Sequence, residues 1–464
     1  MINLRASEIA KIVRGELVGD DVAVTSAPVF DSKAAKPGSI FLALKGEKVD
    51  GHSYIESAFA NGAVLAFVTV ASANRCIVVP DVMSALNLLA AHVREVLKDL
   101  TVIALTGSQG KTTTKDLLQH ILESVGKTVA PVGNFNNELG TPITLLQCDE
   151  NTKFCILEMG ARHVGDIATL CKMAKPNIGM VLRVGTAHIG EFGSAEAVAT
   201  AKSEMISSLE GSAIAILGQY DDFTKEMSSL HNGKLLTFGE TTSADVRATD
   251  IEIREGRPHF DLVTPAGRAA VGLRIVGIHQ VANALAAAAV ASALGASIDL
   301  IAGALSTAEV NSKWRMQIHE LNGFVLINDA YNSSPESAEA ALRTLVLFAQ
   351  ERGGQSWAFL GKMHELGASS RERHAAIGTL ALELGIDHLV GISSPEYAEA
   401  VGANSAMTVH LFESKEDSLS LVDQMRSGDV ILVKASRAEA FEFLAEEISS
   451  KLEAIAVDSE EEER

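Results

Sequence analysis

The stretch "TVIALTGSQGKTTTKDLLQHILESVG" (101–126) decides the fold. It opens with an apolar run, crosses Gly107 and Gly110, and continues with helical spacing to Gly126, a C-cap candidate. A strand running through a glycine turn into a helix N-terminus is an anion cradle. The turn's backbone N–H groups and the helix dipole both favour phosphate. The general phosphate-loop pattern G-x-x-x-x-G-K-[ST] would place its first glycine at position 105, where Leu105 stands. The anion-binding half is intact. Lys111 can reach the β- and γ-phosphates, and the Thr112 hydroxyl can bind Mg²⁺.

Outward from this stretch, 464 residues are too many for one core and predict two to four domains. A first block, 1–98, has short strands at "GSIFLALKG" (38–46) and "AVLAFVTV" (63–70) and a helix at 84–100. A second block, 99–312, repeats apolar runs at "FCILEMG" (154–160), "IGMVLRVG" (178–185) and "AIAIL" (213–217), with helical stretches between them. Strands alternating with helices predict a parallel sheet covered on both faces. Residues 248–275 alternate at period two and predict antiparallel hairpins, followed by an Ala-rich helix at 281–295. A third block, 313–464, offers "GFVLINDAY", "SWAFLGKM", "HLVGIS", "MTVHLF" and "DVILVKAS" as strands of a smaller Rossmann-like domain, without G-x-G-x-x-G. The expectation is an α/β chain of three domains with the phosphate loop in the central one.

Composition narrows the partners. The net charge of −20 argues against nucleic acid, which needs a basic surface, but permits a small anion in a local positive pocket. The tail "DSEEEER" (458–464) reads as a solvated end. Cys76, Cys148, Cys155 and Cys171 have no zinc-like spacing and fit a reducing cytoplasm. The amphipathic N-terminus is unlike a signal peptide, and no apolar window is long enough to span a membrane.

"TGSQGKTTT" resembles the ATP loop of the Mur ligases and their folylpolyglutamate synthetase relatives, where the pattern is T-G-x-x-G-K-[ST] and position 105 need not be glycine. Further stretches resemble that family in its own order: "GNFNNELGTPITLL" (133–146), "LEMGARHVGDI" (157–167), "GTAHIGEFGS" (185–194), "GIHQVANALAA" (277–287), "DAYNSSPES" (329–337), "GKMHELG" (361–367) and "KASR" (434–437). They span all three blocks. They are most similar to the branch of the family whose substrates are UDP-N-acetylmuramoyl-tripeptide and D-alanyl-D-alanine. The resemblance implies an ATP-dependent amide ligase of cell-wall precursor synthesis that works through an acyl phosphate, in the cytoplasm and as a monomer.

It also implies a site. ATP falls to Thr106, Gly107, Ser108, Gln109, Gly110, Lys111, Thr112 and Thr113, with Asn283 at the adenine, Arg315 at the phosphates, and Asp329 and Asn332 across the domain cleft. Two Mg²⁺ ions fall to Thr112, Glu158, His188 and Lys202, the last where these ligases carry a lysine carbamylated by CO₂. Lys111, His188 and Lys202 are the catalytic set. Ser32, Lys45, Gly46, Asp50 and His52 stand where the family binds uridine, and Asn136, Asn137, Arg162 and His163 face the sugar–peptide. Read without the family, Glu158 is a strand-end carboxylate, Lys202 a helix lysine, and Asn136 and Asn137 turn residues. Four positions depart from the pattern: Lys33 for Arg, Arg183 for Asn, Gln280 for Asn, and Ala435 for Gly. The segment 311–313 is the expected hinge for closure of the third domain. Two rivals stay open on the residues: another Mur-type or folylpolyglutamate-like ligase, and a phosphate-loop protein that uses ATP only as a switch. The Asp-Asn-Pro-Arg segment of the ligase that adds the third residue is absent from the sequence.

Overall fold

The computed structural model describes residues 1–46, 49–133, 135–185, 189–309, 312–399, 401 and 405–462, with side chains to 454. The first unit holds a four-stranded sheet in the order Glu16–Val18, Cys76–Val78, Ala63–Val68, Ser39–Leu42. Only the first pairing is antiparallel. The helix Val82–Val96 covers it, N-capped by Asp81, whose carboxylate accepts from Ser84 N. That helix buries Leu86, Leu89 and Val93 in one apolar cluster that continues into the second unit through Leu145, Leu146, Leu170 and Met173.

The central sheet has nine strands. Across it run Gly267–Gly272, Arg257–Thr264, Val246–Arg254, Lys234–Gly239, Ile214–Gly218, Ile178–Val181, Thr101–Thr106, Phe154–Glu158 and Thr128–Val129. The last seven pair in parallel, and the antiparallel strands expected over 248–275 extend the same sheet. The strand Thr101–Thr106 shows why parallel strands read as unbroken apolar runs. Val102 and Ala104 point into one core while Ile103 and Leu105 point into the other. Its carboxyl end therefore opens between Glu158 and the end of Ile178–Val181, the place where open α/β sheets bind ligands. The Ala-rich helix Gln280–Ala293 packs against the helix Lys111–Glu123, and its small side chains bring the two backbones close.

The third unit orders its strands Gln317–Leu321, Phe324–Asn328, Val430–Lys434, Ser356–Leu360, His388–Ile392 and Thr408–Phe412. All five expected strands form. The antiparallel edge strand Gln317–Leu321 was not anticipated: "QIHEL" is polar and half exposed, and it pairs along its length with Phe324–Asn328. All four cysteines are free and buried. Among the described residues, no helix is long and apolar enough to cross a membrane.

Candidate active site

The phosphate loop is anchored from below. Ser108 N donates to Arg183 O at 2.9 Å, and Ser108 Oγ accepts from Gly185 N at 2.8 Å. Gly110 caps the helix Lys111–Glu123 with φ +79°, and a Cβ there would collide with Asn283 Oδ1. Asn283 is itself held, its Nδ2 donating to Gln280 Oε1 at 2.8 Å while Thr114 Oγ1 donates to its Oδ1 at 3.5 Å. The longer Gln280 thus serves as a brace inside the helix Gln280–Ala293. Asn283 forms a wall of the loop.

Lys111 Nζ donates to Gly107 O at 2.7 Å. Burial holds the Lys111 ammonium below its ordinary pKa; Glu158 opposes that effect and Arg315 adds to it. Lys202, buried in the helix Ala195–Ser207, is pushed down to about 7 by burial and then by the charge of Lys111. Glu158 is the carboxylate among these cations. Its Oε2 accepts from Thr112 Oγ1 at 3.0 Å, and its Oε1 accepts from Asn136 Nδ2 at 2.9 Å. Two neutral donors satisfy its hydrogen bonds without cancelling its charge, yet one carboxylate does not balance Lys111, Lys202 and Arg315. Among the described residues, the corner is one that a polyanion would suit.

The corner suits a hard cation. Thr112 and Glu158 present oxygen ligands side by side, and the buried Thr106 hydroxyl at the strand end has no hydrogen-bond partner. They are too few for an all-protein cage: among the described residues no group of three His, Cys, Asp or Glu side chains could hold a metal. An ion here would complete its shell with phosphate oxygens and water, as Mg²⁺ prefers. His188 lies outside the described residues.

The third unit meets this corner. Arg315 lies with its guanidinium carbon 3.8 Å from the Tyr331 ring centroid. Asp329 Oδ2 accepts from Lys434 Nζ at 2.5 Å, and its Oδ1 accepts from Met316 N at 3.1 Å. Lys434 Nζ also donates to the Asn332 carbonyl at 2.8 Å, while Asn332 Oδ1 accepts from Ser333 N at 2.9 Å. Gln109 reaches over to Ser334 and Glu336, Gly190 N donates to Glu365 O, and Ser312 Oγ donates to Asp116. Of the expected hinge, Asn311 lies outside the described residues. A cavity of about 440 Å³ opens at this junction, lined by Thr113 and Gln280, by Arg257 and Arg274, and by Arg315 and Met316.

The residues expected at the sugar nucleotide divide. Lys45 and Gly46 are exposed on the loop after Ser39–Leu42. Asp50 accepts from His52 N at 3.0 Å and from His52 Nδ1 at 2.7 Å, and His52 Nε2 accepts from Thr69 N at 3.1 Å, so this pair fastens its own loop. Ser32 is buried, its carbonyl accepting from Asn61 Nδ2 at 3.0 Å. Asn137 Oδ1 accepts from Leu139 N and Gly140 N, the turn role its sequence context offered. Asn136 turns inward to Glu158. Arg162 and His163 donate their backbone N–H groups to Asp166 Oδ2 and leave their side chains exposed. Phe30 of the first unit meets Phe135 of this loop edge-on, with centroids 6.0 Å apart.

Arg183 lies with its guanidinium carbon 5.9 Å from the Tyr220 ring centroid, so the unexpected cation packs on an aromatic face. Lys33 is exposed. The sequence reading missed Tyr331, Lys434 and His279, although all three lie inside stretches it had singled out. His279 is pushed down to about 4 by burial, with Asp329 opposing and Lys434 assisting, and its Nδ1 has no partner.

Comparison with known proteins gives the same outline. The Mur ligase family catalytic domain matches residues 29–101, the Mur ligase middle domain 105–291, and the Mur ligase glutamate ligase domain 314–437. The UDP-N-acetylmuramoyl-tripeptide–D-alanyl-D-alanine ligase of Mycobacterium bovis is 38% identical over 94% of this chain and 96% of its own length. The crystal structure of MurF from Acinetobacter baumannii superposes with a TM-score of 0.87 at 33% identity, covering 97% of this chain and 99% of that one. MurF from Thermotoga maritima, solved with ADP, gives 0.81 at 30% identity over 93% of this chain and 99% of that one. With matched domains along its length and full-length relatives above 30% identity, the chain belongs to the Mur ligase family.

Proposed function

We infer that this chain joins D-alanyl-D-alanine to UDP-N-acetylmuramoyl-tripeptide, converting ATP to ADP and phosphate, in peptidoglycan precursor synthesis. The carrying observation is end-to-end likeness to a ligase of that name, 38% identical over 94% of the chain. The buried, under-compensated cations at the phosphate loop support it, as does the ADP held by the Thermotoga maritima relative.

Amide formation in water needs an activated carboxylate. The tripeptide carboxylate attacks the γ-phosphorus, ADP leaves, and an acyl phosphate forms. The dipeptide amine then attacks the acyl carbon, and phosphate departs. Lys111 and Arg315 neutralise the transferring phosphoryl group, and positioning supplies most of the remaining acceleration. Thr112 and Glu158 are the residues to hold Mg²⁺, which when bound supplies further charge neutralisation at the phosphates. Asn136 orients the Glu158 carboxylate. A second ion falls to His188 and to Lys202 as its carbamate. The depressed pKa of Lys202 favours the neutral amine, the form that adds CO₂. Asn283, Asp329 and Asn332 serve the nucleoside side; Ser32, Lys45, Gly46, Asp50, His52, Asn137, Arg162 and His163 serve the sugar nucleotide. The working units are 1–98, 99–312 and 313–464, in a cytoplasmic monomer.

The test is ADP release with UDP-N-acetylmuramoyl-tripeptide, with and without D-alanyl-D-alanine. Release that requires both supports the ligase. Release that requires neither replaces it with the ATP switch.

A further inference from the structure

The segment 312–317 that carries Arg315 is bent and pinned at both ends. Trp314 and Met316, on either side of Arg315, have φ of +58° and +50°. Side chains of this size are disfavoured in the left-handed region, so such a bend persists only where contacts over-determine it. The third unit holds the far side: Met316 N donates to Asp329 Oδ1 at 3.1 Å, and Trp314 O accepts from Tyr331 N at 3.0 Å. The segment also braces itself, Trp314 N donating to Gln317 Oε1 at 2.9 Å. The near side is held from the second unit, where Asp116 Oδ2 accepts from Ser312 Oγ at 2.5 Å.

Asp116 is a firm anchor. It lies in the second turn of the helix Lys111–Glu123, directly behind the phosphate loop. Its Oδ1 pairs with the Lys115 ammonium, the two side chains being 9% and 4% exposed, and Lys115 Nζ also donates to Pro131 O at 3.1 Å. The carboxylate is thus fixed to the second unit, and as a charged acceptor shielded from water it holds the Ser312 hydroxyl strongly. Arg315 needs such an anchor. Its guanidinium shares the corner with the Lys111 ammonium, whose pKa it helps to depress. Like charges drive the two apart until phosphate lies between them. None of the roles assigned above uses Asp116 or Ser312.

We propose that Asp116, through Ser312, is a positioning residue for Arg315: it fixes the near end of the bent segment to the phosphate-loop helix, so that the guanidinium is in place before the γ-phosphoryl group moves. The inference rests on the ligase reading and adds to it how cations from two units are kept in register.

Ser312→Ala removes the bond to Asp116, and Ser312→Thr keeps the hydroxyl. In ADP-release kinetics with both substrates, Ser312→Ala should lower kcat about 10- to 100-fold, the range of a lost hydrogen bond to a charged group, and Ser312→Thr should recover most of it. Asp116→Asn weakens the same bond from the other side, so adding Ser312→Ala to it should cost no more than about twofold further. The decisive background is Arg315→Ala. There Ser312→Ala should change kcat by less than about twofold, because the bond acts through the guanidinium. A loss of equal size with and without Arg315 overturns the proposal and leaves the Asp116–Ser312 bond as support for the fold alone. A wild-type kcat in Ser312→Ala overturns it as well. Wild-type enzyme whose ADP release needs neither substrate brings down the ligase reading itself; dipeptide-dependent release beside an indifferent Ser312→Ala sinks only the positioning role.

Discussion

Replacing Gly110 by alanine tests how the phosphate loop is held. The residue sits at φ +79°, ψ −11°, where an L-residue loses about 1–2 kcal/mol. The new Cβ would also collide with Asn283 Oδ1. Asn283 is 8% exposed, and its amide is fastened to Gln280. Pushing that amide aside strands buried polar groups, at about 1–3 kcal/mol. The sum is about 2–5 kcal/mol of local destabilisation. In an Asn283→Ala background the obstacle is gone, so the same substitution should cost only the backbone part, about 1–2 kcal/mol. The difference, about 1–3 kcal/mol, is a coupling energy readable from a double-mutant cycle. Amide hydrogen exchange across Lys111–Glu123 is the suitable assay, because it reports local opening without requiring two-state unfolding of a multidomain chain. Equal cost in both backgrounds would show that Asn283 is not the wall.

Other substitutions probe the charges. Lys202→Met should stabilise the ligand-free protein by about 2–4 kcal/mol at pH 7 while abolishing turnover, because keeping Lys202 inside the fold costs either a buried charge or the loss of a proton that the unfolded chain retains; urea titration and the ADP-release assay measure the pair. The sign follows from the lowered pKa. Between about 7 and the ordinary lysine value of 10.5 the unfolded chain binds more protons, so the stability of the wild-type protein rises with pH across that window, and Lys202→Met should flatten the rise. Carbon-13 bicarbonate should give a carbamate resonance in wild type at pH 8 that weakens below pH 7 and is absent from Lys202→Met; its absence from wild type removes the second-ion proposal. Asp329→Ala leaves the Lys434 ammonium buried without its counter-ion and should destabilise the third unit by about 3–5 kcal/mol, seen by denaturation; a change below 1 kcal/mol would mean water already reaches that pair. Glu158→Gln should lower kcat at least about 100-fold while leaving Mg²⁺-free ADP binding intact by calorimetry; loss of metal-free binding would contradict its role as a cation ligand.

Local pattern made much of this legible. The strand, glycine turn and helix at 101–126 could be read because apolar run, φ-permissive residues and helical period are all properties of neighbours in sequence. The same holds for four strands of the third unit, Phe324–Asn328, Ser356–Leu360, His388–Ile392 and Val430–Lys434, whose apolar stretches are buried. What the sequence hides depends on distant partners. Nothing near Asn136 says that its amide turns to Glu158, and nothing near His52 says that its ring will accept from Thr69 N. Arg183 stood out only as a departure from the family pattern, and the ring it packs on, Tyr220, lies far along the chain. The polar stretch Gln317–Leu321 is a strand only because Phe324–Asn328 lies alongside it.

The apolar cluster running from Ile9 through Leu89 and Val93 to Leu170 has a mechanical corollary. Arg94 rivets the same seam, its Nε donating to Ala174 O at 3.0 Å and an Nη to Asn177 Oδ1 at 3.0 Å. A shared interior of this kind resists shear, so the first two units behave as one anvil and the last as the hammer. Severing the chain after residue 98 would leave a greasy seam on both fragments, and the first unit is poorly suited to life as a transplantable cassette.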